Sequence, residues 1–258
     1  MIDQENSDVP ARIKSLSTTF KLIETLEDLG EAQLTEIADH SDIAKSTAHK
    51  HLNTMVDHDY IVKEESKYRL GFRFLDIGGH VRSQFPGVNI IKPKLQELAE
   101  KTNEVTQFMT EESGLAVVLY RESGRHGVPS RTRTGTRMYL HQTASGKAIL
   151  SQLPPKRVNE IIDRHGLPAA NDMTITDRDT LFEELEEIRD RGYSFSLGES
   201  TKGLFAVSAP MKAPDDTVIG ACTVSGPSHR MRGKPIKEEM PHLILSVVNE
   251  IELTIAHS

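Results

Sequence analysis

The sequence predicts an α+β chain in two parts: a helix-turn-helix with a two-stranded wing at the start, then a mostly antiparallel sheet flanked by helices. Three observations carry that reading. Apolar residues at helical spacing run through positions 16 to 55, two short β-prone runs follow at 60 to 70, and beyond residue 105 strand-like runs alternate with amphipathic helices. At 258 residues, 37% hydrophobic and 27% charged, the chain has enough apolar material for two globular cores.

Leu16, Phe20, Ile23 and Leu26 predict an amphipathic first helix that covers the motif behind it and offers surface to a second subunit; Gly30 ends it. Ile37 and Ala38 supply the inward face of a short second helix, which the run Asp39-His40-Ser41-Asp42 breaks by competing for backbone hydrogen bonds. In the third helix Ala48, His51, Leu52 and Met55 form one stripe, while Ser46, His49, Lys50 and Asn53 repeat the spacing on the opposite side. Lys45 and Thr47 flank its start. Tyr60-Ile61-Val62 and Lys67-Tyr68-Arg69-Leu70, separated by Lys63-Glu64-Glu65-Ser66, predict a hairpin whose Lys67 and Arg69 can touch a phosphate backbone. The free helix face thus carries a cation, an amide, a hydroxyl and an imidazole, groups that hydrogen-bond base edges in a major groove. Solvation alone also yields polar helix faces, and helical hairpins of this size occur in proteins that never meet nucleic acid.

The net charge of -7 opposes DNA binding in sum but not in placement. Glu24, Glu27, Asp28, Glu31 and Glu36 are expected outside the reading surface, while Lys45, Lys50, Lys63, Lys67, Arg69 and Arg73 fall in the third helix, the wing and its continuation. Modest affinity and a site read by a dimer follow. The single cysteine, Cys222, leaves no internal disulfide and no cysteine-based zinc site, so a reducing cytoplasm is expected. The opening residues lack a signal-peptide pattern, and no apolar run approaches the roughly 20 residues that span a bilayer, so no membrane partner is expected.

After Gly71, Phe72, Phe74, Leu75 and Ile77 predict a connecting helix that breaks at Gln84-Phe85-Pro86-Gly87, and Val88, Ile91, Leu95 and Leu98 predict the next. Strands at Val105 to Met109 and Ala116 to Tyr120 face each other across Ser113-Gly114. Helices are expected near Ser145 to Leu153 and Arg157 to His165, and a longer one opens at Thr176, capped by Thr176 with Asp179. Strands at Tyr193 to Leu197, Leu204 to Ala209 and Val218 to Ser225 precede a closing helix with Leu243, Leu245, Val247, Val248, Ile251 and Leu253. Such sheets form ligand cups at one face.

Two signatures in order resemble the IclR family of transcription regulators over roughly residues 10 to 255. The first is Leu34-Thr35-Glu36-Ile37-Ala38, Ala44-Lys45-Ser46-Thr47-Ala48-His49-Lys50-His51-Leu52 and Tyr68-Arg69-Leu70-Gly71. The second is Leu140-His141-Gln142-Thr143-Ala144-Ser145-Gly146-Lys147-Ala148, Gly192-Tyr193-Ser194-Phe195 with Glu199 and Gly203, Ala209-Pro210 and Val224-Ser225-Gly226-Pro227. The resemblance implies a winged helix-turn-helix DNA-binding domain (10–71), a linker helix (72–87) and a GAF-like effector-binding domain (88–258). It also implies a double-stranded DNA operator, a small-molecule effector and a homodimer or homotetramer; no cofactor is expected, and no metal, because His49 and His51, two apart on a helix, point to different sides.

Carried across by position, the effector pocket implied is Ser130, Met138, Ala144, Ser145, Ser196, Leu204, Ala206, Thr223 and Ser225, and its ligand an organic or sugar-derived acid. The DNA contacts expected are Lys45, Ser46, Thr47, His49, Lys50, Asn53, Lys67 and Arg69. Three positions depart from the family pattern: His51 stands where leucine is usual, Ser196 where some relatives place an acid, and Tyr139 where proline is usual. Because His51 lies on the packed stripe, a structural histidine is favoured over a base contact.

Arg131-Thr132-Arg133-Thr134-Gly135-Thr136-Arg137 is the most basic stretch of the second part. Read as a strand, it puts Arg131 and Arg133 on one face and Ser130, Thr132 and Thr134 on the other. The arginines then either clamp an anionic effector or form a solvated or subunit-contact face, the second being favoured. A hydrolase needs a nucleophile, base and orienter; Ser145 near His141 and Lys147 does not make that set, since His141 is expected to hold the loop before the helix, so no enzyme is expected. The rival reading is a metabolite-sensing interaction module that does not bind DNA.

Overall fold

A computed structural model describes residues 13–127, 132–233 and 235–257, and it divides after Ser83 into two units. In the first unit, α1 (Lys14–Leu29) stops where Gly30 adopts φ 75° and donates its N–H to the Leu26 carbonyl at 2.9 Å. A strand, β1 (Glu31–Gln33), leads into α2 (Leu34–Ser41), whose start is closed reciprocally: Glu36 accepts the Gln33 N–H at 2.7 Å and the Gln33 side chain accepts from the Glu36 amide. The break falls at the last residue of the expected run, since α2 runs through Ser41 and Asp42 turns the chain at φ 52°. Next come α3 (Lys45–Asp57) and the wing strands β2 (Ile61–Glu64) and β3 (Lys67–Leu70), with a tight turn at Glu65, φ 51°.

The expected two-stranded wing is three-stranded, in the order β1-β3-β2, because Glu31–Gln33 pairs antiparallel with Arg69 to Lys67. A three-residue strand with one buried side chain, Ala32, has too little pattern to be read from sequence. Leu22, Leu26, Ile37, Ala48, Leu52, Ile61 and Tyr68 fill the core of this unit. The expected stripe of α1 is corrected: Leu22, Thr25 and Leu26 are buried, whereas Leu16 and Phe20 are 51% and 60% exposed. Spacing identifies apolar residues but not which side of a helix has a neighbour. After Gly71, α4 (Arg73–Ser83) buries none of its residues, although Phe74 meets Tyr60 edge-on at 5.2 Å.

The second unit is layered around a six-stranded antiparallel sheet, ordered β6-β5-β4-β9-β8-β7. Its strands are β4 (Val105–Glu112), β5 (Leu115–Ser123), β6 (Arg137–Tyr139), β7 (Ser194–Leu197), β8 (Leu204–Lys212) and β9 (Val218–Pro227). Alternation sends Phe108, Val207, Ala209, Cys222 and Val224 to one face, against α5 (Val88–Thr102) and α10 (Met240–Ala256). In α10 the buried stripe is Ile244, Val247, Val248 and Ile251, and Leu253 is exposed. The other face carries α6 (Ala144–Gln152), α7 (Pro155–His165) and α8 (Arg178–Arg191), with Ala148, Leu150, Ile161, Leu181 and Ile188 in the second core. A four-residue α9 (Ser228–Met231) follows the sheet.

Two local expectations for this unit are corrected. Asp177, not Thr176, caps α8 and accepts the Thr180 N–H at 2.9 Å, being the last extended residue before the helix. Residues 132–136 are a turn rather than a strand: Gly135 has φ 87° and Thr136 donates its N–H to the Arg133 carbonyl at 3.0 Å. Arg133 therefore does not sit on a strand, and Ser130 and Arg131 lie outside the described residues.

Candidate functional site

In the first unit, burial of Ala48, Leu52 and Met55 fixes the rotation of α3 and leaves Lys45, Ser46, Thr47, His49 and Lys50 exposed on the far side, with Asn53 half-buried at its margin. Asn53 Nδ2 donates to His49 Nε2 at 3.4 Å, one turn apart, so the amide and the imidazole form one polar surface. His51 is half-buried and its Nδ1 lies 2.9 Å from Thr19 Oγ1. The Thr19 hydroxyl already donates to the Ser15 carbonyl at 3.0 Å, so His51 Nδ1 carries the proton it gives to Thr19. The histidine ties α3 to α1 and is turned from the exposed face.

The wing is electrostatically different from expectation. Lys67 Nζ meets Glu31 Oε1 at 2.7 Å and Arg69 meets Glu64 Oε1 at 2.6 Å, so two acids lie on the wing itself. Hydrogen bonding to Lys67 holds the Glu31 carboxyl below its ordinary range. Arg73 is likewise bridged to Asp76 at 2.8 Å, and Lys63 lies 5.3 Å from the centre of the Tyr68 ring. The antiparallel register places Glu31 opposite Arg69 and next to Lys67, a neighbourhood 36 residues away in sequence.

In the second unit, a cavity of about 430 Å³ lies between the start of α6 and the sheet. Met138, Ala144, Ser145, Ser196, Leu204, Ala206, Thr223 and Ser225 all line it, and Ser130 lies outside the described residues. Register explains the assembly. Ser196, Ala206, Ser225 and Val105 are successive cross-strand partners through β7, β8, β9 and β4, and form one row of the floor. The neighbouring cross-strand row reads Ser194, Ser208, Thr223, Gln107, of which Thr223 and Gln107 line the cavity. Val105, Gln107, Met109, Thr132, Thr143, Ser200, Thr201 and Gly226 also line the cavity and were missed. The period-two spacing of Val105, Gln107 and Met109 was visible in β4. Arg133 is exposed and absent from the lining, and Arg131 lies outside the described residues.

Position and polarity of the roof are set by the signature around Ser145. Thr143 caps α6, accepting the Gly146 N–H at 2.9 Å, so the first-turn amides of Ala144 and Ser145 have no intrahelical acceptor. A Cβ on Gly146 would lie 2.1 Å from the Leu140 carbonyl oxygen, so glycine lets α6 seat on the preceding turn, Leu140–Gln142. His141 and Gln142 both reach the Pro168 carbonyl, at 3.0 and 2.8 Å, which anchors that turn. Burial lowers the His141 pKa, against the raising effect of the Pro168 hydrogen bond. The described lining contains no ionisable side chain.

Residues 15–65 match the family described as "IclR helix-turn-helix domain", and residues 81–252 match "Bacterial transcriptional regulator IclR C-terminal". The chain is 27% identical over 253 residues to the probable HTH-type transcriptional regulator ArcR of Halobacterium salinarum, covering 96% of each. It is 26% identical over 247 residues to the transcriptional repressor IclR of Escherichia coli, covering 94% of this chain and 90% of that one. Among solved structures, an IclR homolog from Microbacterium hydrocarbonoxydans complexed with 4-hydroxybenzoate superposes with a TM-score of 0.79 at 21% identity, over 95% of this chain and 100% of that one. This likeness supports the α+β fold of both units.

Proposed function

The chain belongs to the IclR family of DNA-binding transcription regulators, and we propose that a small carboxylic acid in the cavity under α6 controls its operator binding. The observation that carries this reading is the cavity itself: apolar walls from Met109, Met138, Leu204 and Ala206, neutral hydroxyls, and a helix start whose Ala144 and Ser145 amides have no intrahelical acceptor, which suits an anion. With no charged side chain in the described lining, a monocarboxylate fits better than a dicarboxylate or a phosphate. The solved relative named with 4-hydroxybenzoate supports an organic acid. A mobility shift of the DNA upstream of the gene tests both halves: the chain should retard it at low salt, and a panel of monocarboxylates should change the retarded fraction. No retardation, with Ser46, His49 and Lys50 indifferent to substitution, would favour a sensor that does not bind DNA.

On the DNA side we assign the base-reading surface to Ser46, His49, Lys50 and Asn53, with Lys45, Thr47, Lys67 and Arg69 at the phosphates. A homodimer or homotetramer suits this weak reader, since paired half-sites add. Exposed Leu16 and Phe20 on α1, and Phe72, Leu75 and Val81 around α4, supply apolar surface for such pairing.

The wing acids yield a prediction of opposite sign to most. Glu31 and Glu64 compete with phosphate for Lys67 and Arg69, so the double substitution Glu31→Gln, Glu64→Gln should tighten DNA binding several-fold and steepen its salt dependence by roughly one to two counterions per half-site. Titration of one duplex at several salt concentrations measures both. An unchanged slope would remove Lys67 and Arg69 from the interface.

A further inference from the structure

We infer that Ser145 presents a hydrogen-bond acceptor, not a donor, to the cavity, so that the effector is a 2-hydroxycarboxylate rather than a 2-oxocarboxylate. This rests on the effector reading of the cavity and adds the chemistry of the group read there.

The argument is a count of protons along a buried chain of hydroxyls. Ser208 is fully buried and donates its one hydroxyl proton to the Cys222 carbonyl at 2.7 Å. A carbonyl oxygen only accepts, so the direction of that bond is fixed. Ser208 Oγ can then only accept from Thr223 Oγ1, 2.9 Å away, which uses the Thr223 proton. Thr223 Oγ1 is in turn in hydrogen-bond contact with Ser145 Oγ. With its own proton committed, Thr223 must accept there, and Ser145 must donate. The chain runs Ser145, Thr223, Ser208, Cys222 carbonyl, and Ser145 Oγ is left with lone pairs toward the space it lines.

Ser145 thus offers two groups side by side: a first-turn amide N–H, which donates, and a hydroxyl oxygen, which accepts. The fragment that mates both carries an acceptor and a donor on neighbouring atoms. A 2-hydroxycarboxylate supplies them, its carboxylate oxygen to the amide and its hydroxyl proton to Ser145 Oγ. A 2-oxocarboxylate brings a second acceptor against lone pairs and leaves a buried group unpaired.

The test uses the full chain and two pairs that differ only at that carbon, mandelate with phenylglyoxylate and lactate with pyruvate, with affinities from calorimetry. The hydroxy member of each pair should bind at least about tenfold more tightly. Ser208→Ala removes no atom of the cavity wall but takes away the Thr223 acceptor; Thr223 then turns its proton to Ser145, which turns its own into the cavity, and the preference should shrink or invert. Thr223→Val frees the Ser145 proton by a second route and should act the same way if Ser208→Ala proves unstable. An oxo acid that binds the unaltered chain as tightly as its hydroxy partner overturns the inference, as does a preference unchanged in both variants; either leaves the effector reading intact. Binding by none of the four acids at millimolar concentration overturns both.

Discussion

Lys147→Met is expected to lower the unfolding free energy by about 3–5 kcal/mol at pH 8, and by far less near pH 4.5. Lys147 is 1% exposed, and its ammonium meets Glu199 at 2.8 Å and Glu184 at 3.4 Å. Glu184 keeps a partner in the variant, because Arg191 holds it at 3.1 Å. Glu199 does not. Burial already raises the Glu199 pKa above the ordinary carboxylate value, against the lowering effect of Lys147. Removing Lys147 removes that restraint and raises it further.

A carboxyl whose folded pKa exceeds its unfolded one stabilises the fold below the unfolded value, and that stability is lost as pH rises through the folded value. The gap between the unaltered chain and Lys147→Met should therefore widen from about pH 4.5 upward, read from urea midpoints across pH. Adding Glu199→Gln should close most of it at pH 8 by removing the unpaired charge. A gap that stays constant with pH would mean that Lys147 acts through its packed methylenes alone. The pair matters beyond stability. Asn171 and Thr174 hold the Glu199 carbonyl at 3.0 and 2.8 Å, and the next two residues, Ser200 and Thr201, line the cavity. Loosening Glu199 should loosen that wall.

Much of this architecture was readable because short-range pattern decided it. The spacing of Ala48, Leu52 and Met55 alone fixes the rotation of α3, and with it the exposed side. Five of the six strands were readable as β-prone runs, the three-residue β6 was not, and the two signatures placed Ala144 and Ser145 at a helix start. What escaped depends on partners distant in sequence. The pairing of β1 with β3 put Glu31 against Lys67, cancelling a charge that placement had counted as free. Lys147 reads as one more helix lysine until the fold brings Glu199, 52 residues on, to its head. The direction of the Ser145–Thr223–Ser208 chain needed the β8–β9 register, in which Ser208 faces Thr223 and Ala209 faces Cys222. The arginine stretch failed for a local reason: Gly135 turns the chain where alternation had assumed a strand.

Replacing Ser46, His49 and Lys50 together by alanine should weaken specific operator binding by on the order of a thousandfold or more, because each proposed base contact is worth about 1–3 kcal/mol and the proposed dimer would lose each twice. All three side chains are exposed on α3, so thermal stability should barely move. Binding to unrelated DNA should fall much less, since Lys45 and the wing cations proposed to meet the phosphates remain. His51 provides the opposite pattern on the same helix. Its ring spends its Nδ1 proton on Thr19, so His51→Ala should cost about 1 kcal/mol of stability while leaving operator affinity within a fewfold of the unaltered chain. Fluorescence anisotropy on operator and scrambled duplexes, beside melting curves, separates the two. A triple variant that still prefers operator over scrambled DNA, or a His51→Ala variant that loses the operator without losing stability, would move the reading surface to the other side of α3.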